Sequence, residues 1–281
     1  MTESAEGLRL ALFTDTYPPQ VNGVARTLER LVQAIEARGG AARVATVSDP
    51  AAAPDSHTER WPSIPFWAYP QLQMAAPSRM RALDLIDTWR PTLVHVTTEF
   101  GVGLSGLFAA REAGVPVVSS YHTHFKAYLE FYGLSALEPI AWPYFRWFHN
   151  RGVRTFAPSG VVARELEAHG LTNVRVWSRG VDGSKFSPAF RSAAMRARFG
   201  AAGDTPVVAY VGRLAREKGI EVLLAALRIV RERLGRDVAF VFVGDGPAEA
   251  ECRAGAPEGT VFTGKLVGRE LAEAYASADI F

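Results

Sequence analysis

The stretch VVAYVGRLAREKGIEVLLAAL, residues Val207–Leu227, joins an apolar segment, a basic loop and a helical pattern. Its first residues, Val207–Val211, are apolar and mostly β-branched, which predicts a strand buried on both faces in the middle of a sheet. From Ile220 onward apolar residues recur at helical spacing, so a helix should pack back onto that sheet. The stretch therefore predicts a βα unit of a parallel α/β fold.

The loop inside this unit carries Gly212, Arg213 and Lys218. Gly212 allows the backbone to approach a ligand, and both cations lie near the start of the helix, where unpaired N–H groups and the helix dipole favour an anion. Arginine offers a planar fork of donors and lysine a mobile charge, so the pair suits a diphosphate better than a single carboxylate. A solvated basic turn without a ligand is the alternative from these residues alone.

Composition limits the class of protein. The chain has 281 residues, 48% of them hydrophobic and 21% charged, which is typical of a soluble globular protein with enough core for two domains. The net charge of +2 and the lack of a basic run argue against a nucleic-acid partner. A single cysteine, Cys252, suits a reducing compartment, and the apolar run Leu8–Phe13 is too short for a signal or membrane span. The sequence predicts a cytoplasmic protein.

A second glycine-containing loop, TDTYPPQVNGVA at Thr14–Ala25, follows the predicted strand Leu8–Phe13 and precedes the predicted helix Ala25–Ala37. Asn22 and Gly23 stand where that helix begins. The backbone N–H groups there form a second edge suited to a phosphate. A plain turn and N-cap is the alternative interpretation.

Strands and helices alternate along the chain, which predicts a parallel, doubly wound α/β sheet. We expect two Rossmann-like domains, residues 1–172 and 173–281, with a ligand in the cleft between them. The Pro- and Ala-rich stretch from residue 48 to about residue 77 is expected to be irregular. Asp279–Phe281 predicts the beginning of a further strand, so we expect the C-terminal domain to be incomplete.

The predicted strand Val115–Ser119 leads into SYHTHF, which places His122 and His124 two residues apart. We interpret His122 as an active-site imidazole, because such groups gather where strands of this architecture end. A structural histidine and a metal-ligand pair are the alternatives, although no third ligand lies at a convincing spacing. The aromatic and basic stretch from residue 125 to 148 is mostly core packing in our interpretation. Otherwise it is an amphipathic surface for peripheral contact with the inner face of the membrane or with a lipid acceptor.

Six motifs, in order, resemble those of the retaining GT-B glycosyltransferases of glycosyltransferase family four, the group 1 enzymes. They are PPQVNGVAR at 18–26, SYHTHF at 120–125, WSRGVD at 177–182, VGRLAREKG at 211–219, VGDGP at 243–247 and FTGKL at 262–266. Within the family, the likeness is to bacterial GDP-mannose-dependent α-mannosyltransferases and to sulfoquinovosyl- and glucosyl-lipid synthases. The resemblance implies a GT-B fold with two facing Rossmann-like domains. It also implies transfer of a sugar from a nucleotide-sugar donor, with GDP-mannose the leading candidate, to a lipid or glycan acceptor with retained configuration.

The resemblance also implies roles for matched residues. Gly23 would let its loop approach the donor diphosphate, and Arg213 and Lys218 would hold the phosphate oxygens. His122 would face the donor sugar and is the predicted catalytic residue. The turn that begins at Gly264 would lie against the nucleotide base. The predicted donor-binding residues are Asn22, Gly23, Gly212, Arg213, Lys218, Gly264 and Leu266.

No metal or other cofactor is expected. The sequence has no D-x-D motif, so cations and helix N-termini would stabilise the leaving diphosphate in place of a divalent ion. The two glutamates that the family uses to hold the donor would follow the strand that begins at Ile280 and are absent, so an inactive nucleotide-binding fragment is one alternative. A nucleotide-sugar epimerase or hydrolase is another, with Glu99 as its acid or base.

Overall fold

A computed structural model describes the chain in four segments, residues 4–66, 69–122, 138–234 and 237–281. These segments form two compact units, Met1–Arg179 and Gly180–Phe281. The predicted domain boundary at residue 172 falls too early, because the next strand, Val174–Val176, pairs with Arg154–Ala157 in the sheet of the first unit.

The first unit contains a parallel seven-stranded sheet and an antiparallel hairpin. The strands of the sheet are β1 Arg9–Phe13, β2 Ala41–Val47, β3 Thr58–Trp61, β6 Leu93–Val96, β7 Val117–Ser120, β8 Arg154–Ala157 and β9 Val174–Val176. The hairpin strands are β4 Ser63–Phe66 and β5 Tyr69–Ala75. The order in the sheet is β3-β2-β1-β6-β7-β8-β9, and all neighbours are parallel. The prediction of a parallel, doubly wound sheet is confirmed for this unit.

Helices cover both faces of this sheet. They are α1 Gly23–Glu36, α2 Arg79–Trp89, α3 Gly101–Glu112, α4 Glu138–His149 and α5 Gly160–Ala168. Side chains alternate along a strand, so Leu12 of β1 packs with Leu28 of α1 while the next residue, Phe13, packs with Leu107 of α3 on the opposite face. Burial on both faces explains why β1 is apolar from Leu10 to Phe13.

The order of the strands shows at which edge of the sheet a ligand is expected. From β1 the chain moves outward through β2 to β3, and from β6 it moves outward in the other direction to β9. The carboxyl ends of β1 and β6 therefore flank a topological switch point, where open α/β sheets bind their ligands.

The prediction that the chain is irregular from residue 48 to about residue 77 is wrong. β3 pairs in parallel with β2, and β4 and β5 form their hairpin within this stretch. Prolines at 62, 65 and 70 and the charged pair in β3 hide any alternating pattern. These short strands are held instead by the neighbouring sheet and by Trp61, which is 1% exposed and meets Phe13 edge to face.

The aromatic stretch can be described only in part, because His124 and the rest of residues 123–137 lie outside the described residues. In α4, Phe145 and Phe148 are buried, as the core-packing interpretation predicts. Ile140 on the same helix is 70% exposed. No helix in the described parts of the chain is long and apolar enough to cross a bilayer.

The second unit is a smaller parallel α/β sheet. Its strands are β10 Val207–Val211, β11 Ala239–Val243 and β12 Val261–Gly264, in that order, and its helices are α6 Ala193–Arg198, α7 Ile220–Arg233, α8 Glu249–Gly255 and α9 Gly268–Ser277. Ile280 bridges Val208 in parallel, and its carbonyl accepts a 2.9 Å hydrogen bond from the Ala209 N–H. β10 thus has partners on both sides, which confirms its predicted interior place and the strand-like start at Asp279.

Candidate active site

Three of the six motifs meet at the carboxyl edge of the first unit's sheet. Gly23 begins α1, His122 follows β7, and Arg179 follows β9. The Arg179 Nη2 lies 3.4 Å from the His122 Nδ1. A Cβ atom added to Gly23 would lie 3.1 Å from the Arg179 Nη1. The fold therefore brings together two predicted site residues, Gly23 and His122, and Arg179, for which the WSRGVD motif alone predicted no role.

Asn22 is the N-cap of α1. Its Oδ1 accepts hydrogen bonds from the Val24 and Ala25 N–H groups at 3.0 and 2.8 Å, and its Nδ2 donates to the Thr16 Oγ1 at 2.8 Å. The side chain of Asn22 is thus committed to starting the helix, as the plain N-cap interpretation predicts. Donor binding at this loop stays a prediction, and it would fall to the backbone at Gly23.

His122 is a neutral imidazole, and one of its ring nitrogens has no hydrogen-bond partner in the described segments. Burial, with the nearby Arg179 and His149, lowers the pKa of His122 to about 4. Arginine can only donate, so the Nδ1 facing Arg179 accepts and the ring proton is assigned to Nε2. This Nε2 is buried and has no hydrogen-bond partner among the residues that the structure describes. A buried N–H without a partner is unfavourable, so a hydroxyl or other acceptor of a bound ligand would stabilise it by accepting a hydrogen bond.

Two further histidines, which sequence reasoning missed, lie behind this edge. His95 on β6 is fully buried, pairs through Nε2 with the Ser120 Oγ at 2.6 Å, and has its pKa lowered to about 3 by burial. His149 pairs through Nδ1 with the Ser119 Oγ at 2.8 Å, and its Nε2 lies 3.4 Å from the Glu99 Oε1. Glu99, the candidate acid or base of the epimerase alternative, therefore lies beside a buried histidine, whose Nε2 has no hydrogen-bond partner among the described residues.

Asp15 is another site-edge residue that sequence reasoning passed over. It lies two residues after the end of β1, beside the switch point, and is 4% exposed. The Thr98 hydroxyl donates to its carboxylate, and so does the Val102 N–H at 3.1 Å. Burial raises the pKa of Asp15 to about 6, and these hydrogen bonds offset part of that rise. A Cβ at Gly101, which has φ +41°, would lie 2.3 Å from the Asp15 Oδ1, so only glycine fits against this carboxylate.

In the second unit, backbone hydrogen bonds shape the loop that follows β10. The Gly212 N–H donates to the Val243 carbonyl at 2.9 Å, and the Tyr210 hydroxyl donates to the Arg213 carbonyl at 2.9 Å. Arg213 is half-buried, whereas Lys218 lies exposed on a short 3-10 turn just before α7. The two predicted phosphate cations thus lie on one loop, between a strand end and a helix start.

The glycines of VGDGP support this loop from behind. A Cβ at Gly244 would lie 1.9 Å from the Gly212 carbonyl oxygen, and one at Gly246 would lie 2.2 Å from the Leu214 carbonyl oxygen. The Leu214 N–H donates to the Asp245 carbonyl at 2.8 Å. The two loops therefore pack backbone against backbone, which the sequence pattern alone did not predict.

The third predicted element of the donor site is the turn after β12. The carbonyl of Gly264, which has φ +72°, accepts from the Gly244 N–H at 2.9 Å. Leu266 is 7% exposed and packs in the core of the unit. A nucleotide contact at this turn would therefore come from the backbone, and it stays a prediction.

The expectation that no metal ion is needed also stays a prediction. Within the described segments, no group of three or more His, Cys, Asp or Glu side chains is arranged to hold a metal ion. His124, the second member of the proposed histidine pair, lies outside these segments.

Comparison with known proteins identifies the family. Residues 21–185 match Glycosyltransferase Family 4, and residues 205–281 match Glycosyl transferases group 1. A GDP-mannose-dependent alpha-mannosyltransferase of Mycobacterium tuberculosis is 35% identical over 98% of this chain and 72% of its own length. The chain belongs to glycosyltransferase family 4, as its motifs predict, and is a hexosyltransferase.

More distant relatives agree with the class and the fold. A sulfoquinovosyl transferase of Arabidopsis thaliana is 30% identical over 97% of this chain and 54% of its own length. The sucrose-phosphate synthase of Thermosynechococcus elongatus has a similar structure, with a TM-score of 0.69 over 97% of this chain and 74% of its own, at 18% identity. The predicted GT-B fold is confirmed.

Proposed function

We propose that the chain transfers a mannosyl group from GDP-mannose to a lipid or glycan acceptor with retention of configuration. The observation that carries this proposal is its 35% identity, over 98% of the chain, to a GDP-mannose-dependent alpha-mannosyltransferase. The proposed donor-binding residues of the second unit lie on the loop after β10 and the turn after β12, and those of the first unit lie at its carboxyl edge with His122.

In this mechanism the bond from the sugar's anomeric carbon to the diphosphate oxygen breaks, the acceptor oxygen bonds to that carbon from the same face, and the acceptor's hydroxyl proton passes to the leaving diphosphate. Negative charge grows on the leaving diphosphate. This negative charge is stabilised by the positive charges of Arg213 and Lys218 and by the start of the helix beside them. His122 donates its Nε2–H to a hydroxyl of the donor sugar. No metal ion is required, since these cations take its role.

The same proposal covers the acceptor side. For a lipid acceptor, the chain would work in the cytoplasm and touch the inner face of the membrane. Ile140, which is 70% exposed on a helix that also carries Arg146, supports such a contact. Sedimentation with anionic vesicles, compared with neutral vesicles and with Ile140→Ser, tests it. Equal sedimentation of both proteins would remove this surface from the proposal.

A lipid synthase that uses another sugar is the second candidate, favoured by the sulfoquinovosyl transferase relative. Purified chain incubated with GDP-mannose, UDP-glucose or UDP-sulfoquinovose, with and without lipid acceptors, separates the two. We expect GDP release that depends on an acceptor, with a mannosylated product in the mass spectrum. Nucleotide release without an acceptor would indicate a hydrolase, and a converted sugar would indicate an epimerase. Nucleotide binding without turnover would indicate a binding fragment.

The role of His122 has its own test. Because a hydrogen bond from the His122 Nε2–H to a sugar hydroxyl would orient the sugar for transfer, His122→Ala should lower kcat by about 100-fold and leave GDP affinity nearly unchanged. Steady-state kinetics and calorimetric titration with GDP measure the two effects. His57→Ala, at an exposed histidine before β3, is the control. A folded His122→Ala protein with the wild-type kcat would show that the residue is structural.

A further inference from the structure

Arg179 is the last residue of the first unit, and its side chain turns back onto the site edge of that unit. Its Nη2 lies 3.4 Å from the His122 Nδ1, while its Nη1 lies against Gly23. Neither the mechanism above nor any assigned role of the chain uses this arginine. Among the described residues, only Arg179 forms a hydrogen bond with His122.

Two side chains from one short segment fix the His122 ring. Trp177 meets the ring edge to face, with centroids 5.9 Å apart, and Arg179 lies two residues further on. Trp177 is itself anchored, because its backbone N–H donates to the Ala157 carbonyl at 2.8 Å and its indole ring packs against the Phe156 ring. The segment after β9 therefore controls both the plane of the imidazole and the environment of its Nδ1.

The chemistry of the pair sets the direction of the imidazole proton. A guanidinium has five donors and no acceptor, and it stays charged at every working pH. An imidazole nitrogen that faces it must accept, which leaves the proton on the other nitrogen. We propose that Arg179 is a positioning residue that holds the His122 Nδ1 as an acceptor and thereby aims the Nε2–H donor at the hydroxyl of a bound sugar.

Gly23 has a part in this arrangement. Since a Cβ at residue 23 would lie 3.1 Å from the Arg179 Nη1, a side chain there would require the guanidinium that faces His122 to shift by a few tenths of an ångström. The glycine of the NGV motif therefore makes room for an arginine as well as for a ligand. This inference rests on the proposed role of His122 in sugar transfer, but the contact itself can be measured without turnover.

The first experiment reads the imidazole directly. Nitrogen chemical shifts of the His122 ring, assigned by their loss in His122→Gln, report the tautomer and the titration of the residue. We expect one tautomer, protonated at Nε2, in the wild type. In Arg179→Met we expect a mixture of tautomers and a pKa that moves up towards the ordinary histidine value. The other titratable groups that act on this ring, His149 on α4 and His95 on β6, are unchanged in the variant.

The second experiment is a double-mutant cycle on the transferase reaction. If Arg179 acts through His122, Arg179→Met should lower kcat by about 100-fold in the wild type and have almost no effect in His122→Ala. Arg179→Lys, which keeps the charge but not the planar fork, should recover only part of the rate. Arg175→Met is the matched control, because Arg175 is an exposed arginine on β9 whose guanidinium donates to the Val174 carbonyl.

The results separate the two proposals. An unchanged His122 tautomer and pKa in Arg179→Met would overturn the positioning role, whatever the activity. Equal losses of kcat in both backgrounds, with weaker GDP binding, would make Arg179 a phosphate ligand instead and would also overturn it. If no nucleotide sugar is turned over by the wild type while Arg179→Met still alters the His122 tautomer, the proposed function fails and the Arg179–His122 contact stands. Circular dichroism and thermal melting of each variant confirm that it is folded.

Discussion

At the residue scale, the two cations of the second unit differ in how firmly they are held. Arg213 is half-buried, and its carbonyl is bound by the Tyr210 hydroxyl. Lys218 is exposed on its turn, so its ammonium has more conformational freedom to lose on binding. Arg213 is therefore the better preorganised of the two, and Lys218 is the more adaptable.

We expect both residues to contribute to diphosphate binding. Arg213→Ala or Lys218→Ala should each weaken GDP binding by about ten- to a hundredfold, the usual effect of losing a charge-assisted hydrogen bond. Isothermal titration calorimetry measures this. Arg216→Ala is the control, because Arg216 lies on the same turn but pairs with Glu251 at 3.1 Å. Unchanged affinity in both test variants would remove the phosphate role from this loop.

Asp15 predicts a pH dependence of stability. Burial raises its pKa from 3.8 to about 6 in the folded chain, so folding favours the protonated carboxyl. This contribution to the free energy of unfolding is fully present below about pH 4 and is lost as the pH rises through 6. Asp15→Asn cannot ionise. We therefore expect the wild type to lose about 1–3 kcal/mol relative to Asp15→Asn between pH 4 and pH 7.

Urea denaturation of both proteins at several pH values tests this expectation. Asp84→Asn, at an exposed position of α2, is the control and should show no such trend. A difference between wild type and Asp15→Asn that stays constant from pH 4 to pH 7 would contradict the raised pKa.

Single residues divide into those that the sequence reveals and those that only the fold reveals. Arg213, Lys218 and His122 stand at strand ends that apolar patterns mark, so the sequence predicts their place. The partnership of His122 with Arg179 joins residues from different motifs across the sheet edge, and no local pattern encodes it. Asp15 also looks like an ordinary loop residue until Thr98, far along the chain, is seen to bind it.

At the scale of elements, the loop after β11 acts as a support for the loop after β10. Gly246 has φ +155° and Gly244 has φ +143°, values that side chains rarely allow. Both approach carbonyl oxygens of Gly212–Leu214 too closely for a Cβ. The position of Arg213 therefore depends on glycines in another loop.

Gly246→Ala should damage both stability and binding. The added Cβ would lie 2.2 Å from the Leu214 carbonyl oxygen, so one of the two loops must move. We expect the free energy of unfolding to fall by about 1–3 kcal/mol and GDP affinity to fall with it. Thermal melting and calorimetry measure the two effects. Gly183→Ala, where a Cβ meets nothing within 4 Å, is the control, and equal behaviour of the two variants would refute the supporting role.

Elements that are long or uniformly apolar are predictable from sequence, and short edge elements are not. β10 is observed with the predicted bounds, Val207–Val211, because its apolar run ends at a clear turn signal. β3, β4 and β5 have four to seven residues with prolines or charges among them, so their pairing comes from neighbouring structure. β9 was assigned to the wrong domain for the same reason, since only its hydrogen bonds to β8 show which sheet it joins.

At the scale of the whole molecule, each unit repeats one arrangement: a central strand, a glycine-containing loop and a helix start. In the first unit these are β1, the loop with Gly23 and α1; in the second they are β10, the loop with Gly212 and α7. The first loop is shaped by an asparagine cap and an arginine, and the second by a neighbouring glycine loop. The repeated arrangement provides backbone N–H groups in both units, but the lysine and arginine charges of the β10 loop belong to the second.

This distribution of charge leads to the last prediction, which concerns metal dependence. The growing charge on a leaving diphosphate needs a counter-charge, which a divalent ion supplies in metal-dependent transferases. Here Arg213, Lys218 and the start of α7 provide positive charge on one loop. We therefore expect mannosyl transfer to keep its rate in excess EDTA and to gain nothing from added Mg²⁺ or Mn²⁺. The same assay on Arg213→Ala is the matched comparison, because loss of the fixed cation should make added Mg²⁺ stimulate the residual rate. Activity of the wild type that disappears on chelation and returns only with a divalent ion would show that the cations do not replace a metal.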